Sequence, residues 1–260
     1  MKRATLAIAV ALIGVFGISQ GSASAKPTPT TVKRHPCTDP NYKSSSYSGG
    51  VAYSNYYVTN DVWNPVSITQ RLSACGHNSF YVTAHVKNEG GAVQSYPNSQ
   101  INFDSPTVAS FATLTSNFGF KDPPTGSGLD YEFAYDIWLG GATAWADPGT
   151  HTEMMLWEYN HVQRPAGSVV GTATLDGARW TVWEVGNLTG KNGDIVTFVR
   201  KARAERGTTD LLAFFDYAAS KAWLHRGTSA HLWQVDWGAE LCAAPKGSVF
   251  DFTAFNVKST

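Results

Sequence analysis

Short runs rich in Val, Ile, Thr, Tyr, Phe and Trp recur along the chain, each closed by Gly, Asn, Asp or Pro. The runs at 53–62, 79–87, 108–116, 129–139, 152–159, 169–175, 179–185 and 194–200 have strand length and strand composition. Turn signals such as Pro148-Gly149, Asp176-Gly177 and Asn192-Gly193 fall between them. Many short strands at such spacing predict an all-β, two-sheet antiparallel sandwich or jelly roll. One segment departs from this pattern. After Thr209-Asp210, which can cap a helix, Leu211, Leu212, Phe215, Ala218, Ala219 and Trp223 recur at helical spacing and stop before Gly227. This predicts one short amphipathic helix packed against the outside of a sheet.

Three strands carry carboxylates on one face. In the run from Thr152 to Trp157, period-two alternation sends Met154 and Leu156 to one side and Glu153, Met155 and Trp157 to the other. A carboxylate between a thioether and an indole is costly to hold charged, which marks Glu153 either as functional or as a stray Glu on an exposed face. In 131–139, Tyr131, Phe133, Tyr135, Ile137 and Leu139 form the apolar face, and Ala134, Asp136 and Trp138 the other. In 232–241, Trp233, Val235, Trp237, Ala239 and Leu241 oppose Gln234, Asp236, Gly238 and Glu240. If the first two strands are neighbours, Asp136 lies close enough to Glu153 to hydrogen-bond it or to hold its charge state apart from its own.

The ends of the chain set its context. Lys2 and Arg3, an apolar run and Ala23-Ser24-Ala25 read as a secretory signal over 1–25, too short to span a membrane. Residues 26–36 form a Pro/Thr-rich leader, and 37–260 fit a single domain. Loss of Lys2 and Arg3 leaves 18 Lys+Arg against 20 Asp+Glu, a balance that argues against nucleic acid or an anionic membrane as partner. Export favours a disulfide among Cys37, Cys75 and Cys242. Pairing Cys37 with Cys75 ties down the start of the domain and leaves Cys242 as a buried apolar residue. The 7 His show no ligand-like pairing, so neither a metal nor a cofactor is expected. The 9 Trp and 11 Tyr exceed what such a core needs, and in a secreted monomer the surplus suits stacking on sugar rings.

Paired carboxyls on an aromatic-lined sheet are what glycoside hydrolysis requires. The order of several motifs makes this more specific: Asn60-Asp61-Val62-Trp63, Ser95-Tyr96-Pro97-Asn98, Tyr135-Asp136-Ile137-Trp138-Leu139, Glu153 to Trp157, and Gly238-Ala239-Glu240. Together they resemble the family 12 glycoside hydrolases, secreted endo-β-1,4-glucanases with a jelly-roll fold. The resemblance implies Glu153 as nucleophile, Glu240 as general acid/base and Asp136 as the carboxyl supporting the nucleophile. It further implies Trp63 as a stacking platform, with Asn60, Asn98, Trp138, Met155 and Trp157 lining a concave cleft for β-glucan. The chain departs from the family pattern at Asn64-Pro65 after the platform Trp, at Leu241-Cys242 after the acid/base, and at Asp236. These differences bear on substrate preference. A xyloglucan-specific endoglucanase and a non-catalytic glucan-binding jelly roll remain the alternatives at this point.

Overall fold

Period-two hydrophobic alternation becomes a two-sheet sandwich in the computed structural model, which describes residues 36–123, 126–142, 151–186 and 194–260. The first strands are β1 (Tyr42–Ser44), β2 (Gly50–Tyr53), β3 (Tyr56–Thr59), β4 (Ile68–Gly76) and β5 (Ser79–Val86). There follow β6 (Asn98–Asn102), β7 (Leu114–Lys121), β8 (Asp130–Gly140), β9 (Thr152–His161) and β10 (Ser168–Leu175). The last are β11 (Ala178–Val185), β12 (Asp194–Arg200), β13 (Arg206–Asp210), β14 (His231–Gly238) and β15 (Leu241–Ser259), with helix α1 at Leu211–Ser220. The signal segment, the leader apart from Pro36, and the turns at Pro148-Gly149 and Asn192-Gly193 lie outside the described residues.

The inner sheet runs β2-β3-β6-β14-β8-β9-β12-β11-β10, and the outer sheet β1-β4-β5-β15-β7-β13. Within both sheets the pairs are antiparallel except β9 with β12. β15 belongs to both: Leu241 and Ala243 pair with β8, and after an irregularity between Ala244 and Ser248 the strand continues along β5 and β7. One long strand therefore stitches the layers together immediately after Glu240.

The core between the sheets is aromatic. Phe120 of β7 stacks on Phe133 of β8 at 4.2 Å, and Tyr135 of β8 meets Trp237 of β14 at 4.8 Å. Each large apolar side chain buried in this way contributes roughly 1.5–3 kcal/mol. Glu158 is buried in a bulge of β9, where Arg200 donates to it at 2.8 Å and Thr209 at 3.1 Å. That ion pair ties β9 to β12 and to the end of β13. Cys37 and Cys75 form a disulfide and Cys242 is free and buried, as the sequence reading expected.

Four local readings change. The run 108–116 begins as a 3₁₀ turn at Val108–Ser110, closed by the Ser110 hydroxyl donating to the Thr107 carbonyl, and becomes strand only at Leu114. The run 53–62 shrinks to β3 because Ser54 and Asp61 sit at φ 57° and 37° and turn the chain at either end. A bulge between Leu232 and Gln234 sends Leu232 into the core and takes Trp233 out of it, so the strand's apolar face begins with Leu232 and the side chain of Trp233 donates to the Gly141 carbonyl. Helix α1, capped by Asp210 accepting from the Leu212 N–H at 3.2 Å, ends at Ser220. It packs on the core-side face of the inner sheet, where Phe214 meets Trp180 and Phe198 edge-on. It does not lie on an outer surface.

Candidate active site

Four adjacent strands of the inner sheet, β6, β14, β8 and β9, carry the carboxyls and their neighbours on the face away from the core. Across β8 and β9, Trp138 stands opposite Glu153, Asp136 opposite Met155 and Ala134 opposite Trp157. Cross-strand partners share a face, so Asp136 is the diagonal neighbour of Glu153. Ala134, Met155 and Trp157 form an apolar cluster separate from the main core, with Val199 against it. On the other side of β8, Asp236 of β14 stands directly opposite Asp136. Next along β14, Gly238 pairs with Asn98 of β6. A Cβ on Gly238 would lie 2.6 Å from the Tyr96 ring and 2.8 Å from the Pro97 carbonyl oxygen, so only glycine lets the Ser95-Tyr96-Pro97-Asn98 segment close over the sheet.

Glu240 sits in the gap between β14 and β15, where the chain leaves the inner sheet. Its backbone is clamped: Ala239 donates to the Pro97 carbonyl, Leu241 to that of Ser95, and Glu132 to that of Glu240 itself. Its carboxyl accepts from the Gln163 amide at 3.0 Å. Gln163 reaches it because Val162, an exposed β-branched residue, is held at φ 70°, a costly conformation that turns the chain sharply after β9.

Glu153 and Glu240 line a single cavity of about 340 Å3, together with Met155, Trp157, Gln163 and Val93. Burial, and then the charge of Glu240, push the Glu153 carboxyl up to about 7. Burial likewise pushes Glu240 to about 7, against hydrogen bonds from Glu132 and Gln163 that hold it down. Both are thus carboxyls whose charged form the site disfavours, and the charge of Glu240 is part of what raises Glu153. Asp136 is raised well above the carboxylate range by burial and by the charges of Glu153, Asp236, Glu240 and Asp61. A neutral Asp136 is a donor beside the nucleophile candidate rather than a second anion.

The remaining sequence-predicted residues divide. Trp63 is 53 % exposed, and its indole N–H holds Asp61, whose carboxyl is otherwise raised by burial. Its face is available to a sugar. Trp138 faces Glu153, and Met155 and Trp157 line the cavity. Trp157 is only 1 % exposed, so it supports the floor from beneath and offers no stacking face. Asn98 is buried, donating to the Tyr96 carbonyl, and its side-chain oxygen has no hydrogen-bond partner among the described residues. Asn60 is 0 % exposed, and its amide is consumed by the Ser46 carbonyl and the Gln70 side chain. It shapes the loop carrying Trp63 instead of meeting substrate.

Three residues of the site escape sequence reasoning. Tyr96 is buried among Asp136, Asp236, Glu132 and Glu240, which with its burial raise its phenol well above the usual range, and it donates to the Ala134 carbonyl. Gln163 comes from a loop, where no periodicity marks it. Glu132 shares its face with Ala134 and Asp136, two residues before the first of them, and the alternation of β8 carried back two residues is the signal that marks it. Among the described residues no group of three or more His, Cys, Asp or Glu is arranged to hold a metal ion, and no helix is long and apolar enough to cross a membrane.

A jelly-roll sandwich with two burial-raised carboxyls lining one cavity is the architecture of a glycoside hydrolase. Residues 48–258 match the model of glycosyl hydrolase family 12, and the chain belongs to that family. A probable xyloglucan-specific endo-beta-1,4-glucanase A of Aspergillus clavatus is 26% identical over 196 residues, 70% of this chain and 76% of the relative. Among solved structures, the native family 12 xyloglucanase from Bacillus licheniformis superposes with a TM-score of 0.74 at 21% identity, over 84% of this chain and 100% of the other. The xyloglucanase domain of NopAA from Sinorhizobium fredii, in complex with cellobiose, gives 0.73 at 25% identity, over 85% and 100%.

Proposed function

We propose that this glycoside hydrolase is an endo-acting β-1,4-glucanase that cleaves cellulose or β-glucan by retaining double displacement, with Glu153 as nucleophile and Glu240 as general acid/base. The observation that carries the reading is that these two carboxyls line one cavity, both raised to about 7 by burial, with the charge of Glu240 adding to the rise at Glu153. Retention needs carboxyls about 5–5.5 Å apart, close enough for one to attack the anomeric carbon while the other protonates the leaving oxygen.

The first step begins with Glu153 ionised and Glu240 protonated. Glu153 attacks the anomeric carbon, the glycosidic bond breaks, and the Glu240 proton passes to the departing sugar oxygen. Asp136, kept neutral by burial and neighbouring charge, donates to Glu153 and steadies it in the attacking geometry. In the glycosyl-enzyme the Glu153 charge is gone, so Glu240 is free to stay ionised and to take a proton from water as that water attacks the anomeric carbon, breaking its bond to Glu153 and releasing the sugar and the Glu153 carboxylate. Trp63 serves as the exposed platform for a glucose unit away from the scissile bond, and Asn98, Trp138 and Met155 shape the sites nearer to it. The 1–25 signal reading and the Cys37–Cys75 bridge support action outside the cell.

Side-by-side hydrolysis of barley β-glucan, carboxymethyl-cellulose and xyloglucan, with NMR of the first anomer released, tests this. Initial β-anomer is expected, and initial α-anomer contradicts retention. Glu153→Ala and Glu240→Ala are each expected to lower turnover by several orders of magnitude in folded protein, and near-normal hydrolysis by Glu153→Ala removes the assignment. Xyloglucan specificity is the second reading, favoured by the names of the Aspergillus relative and the Sinorhizobium domain.

A further inference from the structure

Glu132 is 0 % exposed, and among the described residues no ion pair supplies a cation to account for its burial. Its Oε1 accepts from the Glu240 N–H at 3.0 Å, and its own N–H donates to the Glu240 carbonyl at 3.2 Å. Backbone and side chain of residue 132 thus both hold residue 240. Its Oε2 is buried and receives no hydrogen bond from any donor among the described residues. The titratable groups that face it are Glu240 and the Cys242 thiol from the start of β15, Asp136 from its own strand, and Tyr96 from the segment closing over the sheet. Every one of these is neutral or negative. An ionised carboxylate in such surroundings lacks both water and a counter-charge, the combination proteins avoid by keeping the group protonated. A protonated Oε2 is a donor, and the carboxyl it meets is that of Glu240.

We propose that Glu132 is a positioning residue for Glu240: as a neutral carboxylic acid it accepts the Glu240 backbone N–H on one oxygen and donates to the Glu240 side chain from the other. The proposal rests on the reading of Glu240 as acid/base and adds a device to it. Together with Gln163, Glu132 gives the Glu240 carboxylate two donors, which stabilise the anion left after the first step while Glu132 keeps its own proton. Burial favours the protonated form of Glu240 and so works against its role as base in the second step. The hydrogen bond offsets that, and the backbone clamp fixes where the carboxyl points.

The test is the pH dependence of kcat/KM on soluble β-glucan for Glu132→Leu and Glu132→Gln. Leu removes the donor, and the basic limb is expected to move up by about one pH unit or more. Gln carries an acceptor oxygen and a donor N–H in the same places as the neutral acid, so it is expected to return the limb to the wild-type position. A limb that moves down by a similar amount in Glu132→Gln means that a negative charge was removed, and overturns the proposal. A limb unmoved in both variants shows no coupling and overturns it as well. If Glu132→Leu fails to fold, the infrared spectrum of the folded Glu132→Gln protein decides: the protonated-carboxyl C=O band at neutral pH should lose intensity relative to wild type, and an unchanged band refutes a neutral Glu132. Glu240→Ala assayed on an aryl cellobioside whose leaving group needs no proton separates the two readings. Activity retained there but lost on β-glucan supports Glu240 as acid, whatever Glu132 does. Loss on neither substrate removes the role of Glu240 itself.

Discussion

Asp236 and Asp136 are direct cross-strand partners on β14 and β8, two carboxyls side by side on a buried face. Burial disfavours charge on either, and nearby carboxylates add to it, Glu153 and Asp236 at Asp136 and Asp61 at Asp236, so both are raised well above the ordinary carboxylate range. Their protons are kept on folding but lost on unfolding at any pH above about 4. The folded state then binds more protons than the unfolded one, and stability falls as pH rises, by about 1.4 kcal/mol per pH unit for each group that keeps its proton. The melting temperature should be higher at pH 5 than at pH 8. Asp236→Asn should flatten that slope, and an equal slope in wild type and variant would show that this pair is not its source.

Gly238→Ala tests the closure of the Tyr96 segment over the sheet. The added methyl meets the Tyr96 ring and the Pro97 carbonyl, a clash with backbone that cannot swing away. Overpacking of this kind costs about 1–3 kcal/mol, and because Ala239 and Leu241 hang from the same segment, Glu240 should shift with it. Denaturant unfolding and kcat are expected to fall together.

Trp63→Ala should separate binding from chemistry. The side chain is more than half exposed, so its removal leaves the core intact and costs the fold chiefly the indole hydrogen bond to Asp61. Loss of a stacking face worth about 1.4 kcal/mol raises KM about ten-fold with a smaller effect on kcat. Steady-state kinetics on β-glucan read the difference.

Much of this site was legible from alternation. Glu153, Asp136 and Glu240 were placed on the non-core faces of their strands because a sheet with a buried side obeys period two, and the bridge between Cys37 and Cys75 followed from position. Alternation fails where the ladder slips: the bulge at Trp233 exchanged its place with that of Leu232. It also says nothing about whether a polar residue is occupied. Asn60 has the composition of a substrate ligand, and only its partners Ser46 and Gln70 reveal an internal strut. Gln163 depends on a left-handed turn at Val162, a residue type that rarely adopts one, so no local signal announces it.

Phe214→Ala tests the helix as a support. Phe214 is fully buried against Trp180 and Phe198, and truncation of a buried Phe costs about 3–5 kcal/mol. None of its ring partners touches the cavity, so KM at a temperature where the variant is still folded should match wild type. A drop in the thermal midpoint without a change in KM is the expected pattern.

The most direct test of the account is to trap the glycosyl-enzyme with a 2-deoxy-2-fluoro-cellobioside bearing a good leaving group, and to map the label by peptide mass spectrometry. The account predicts one sugar per chain, ester-linked to Glu153, and no label in Glu153→Gln. A label on Glu240, Asp136 or Glu132, or full activity with no covalent species formed, would contradict it.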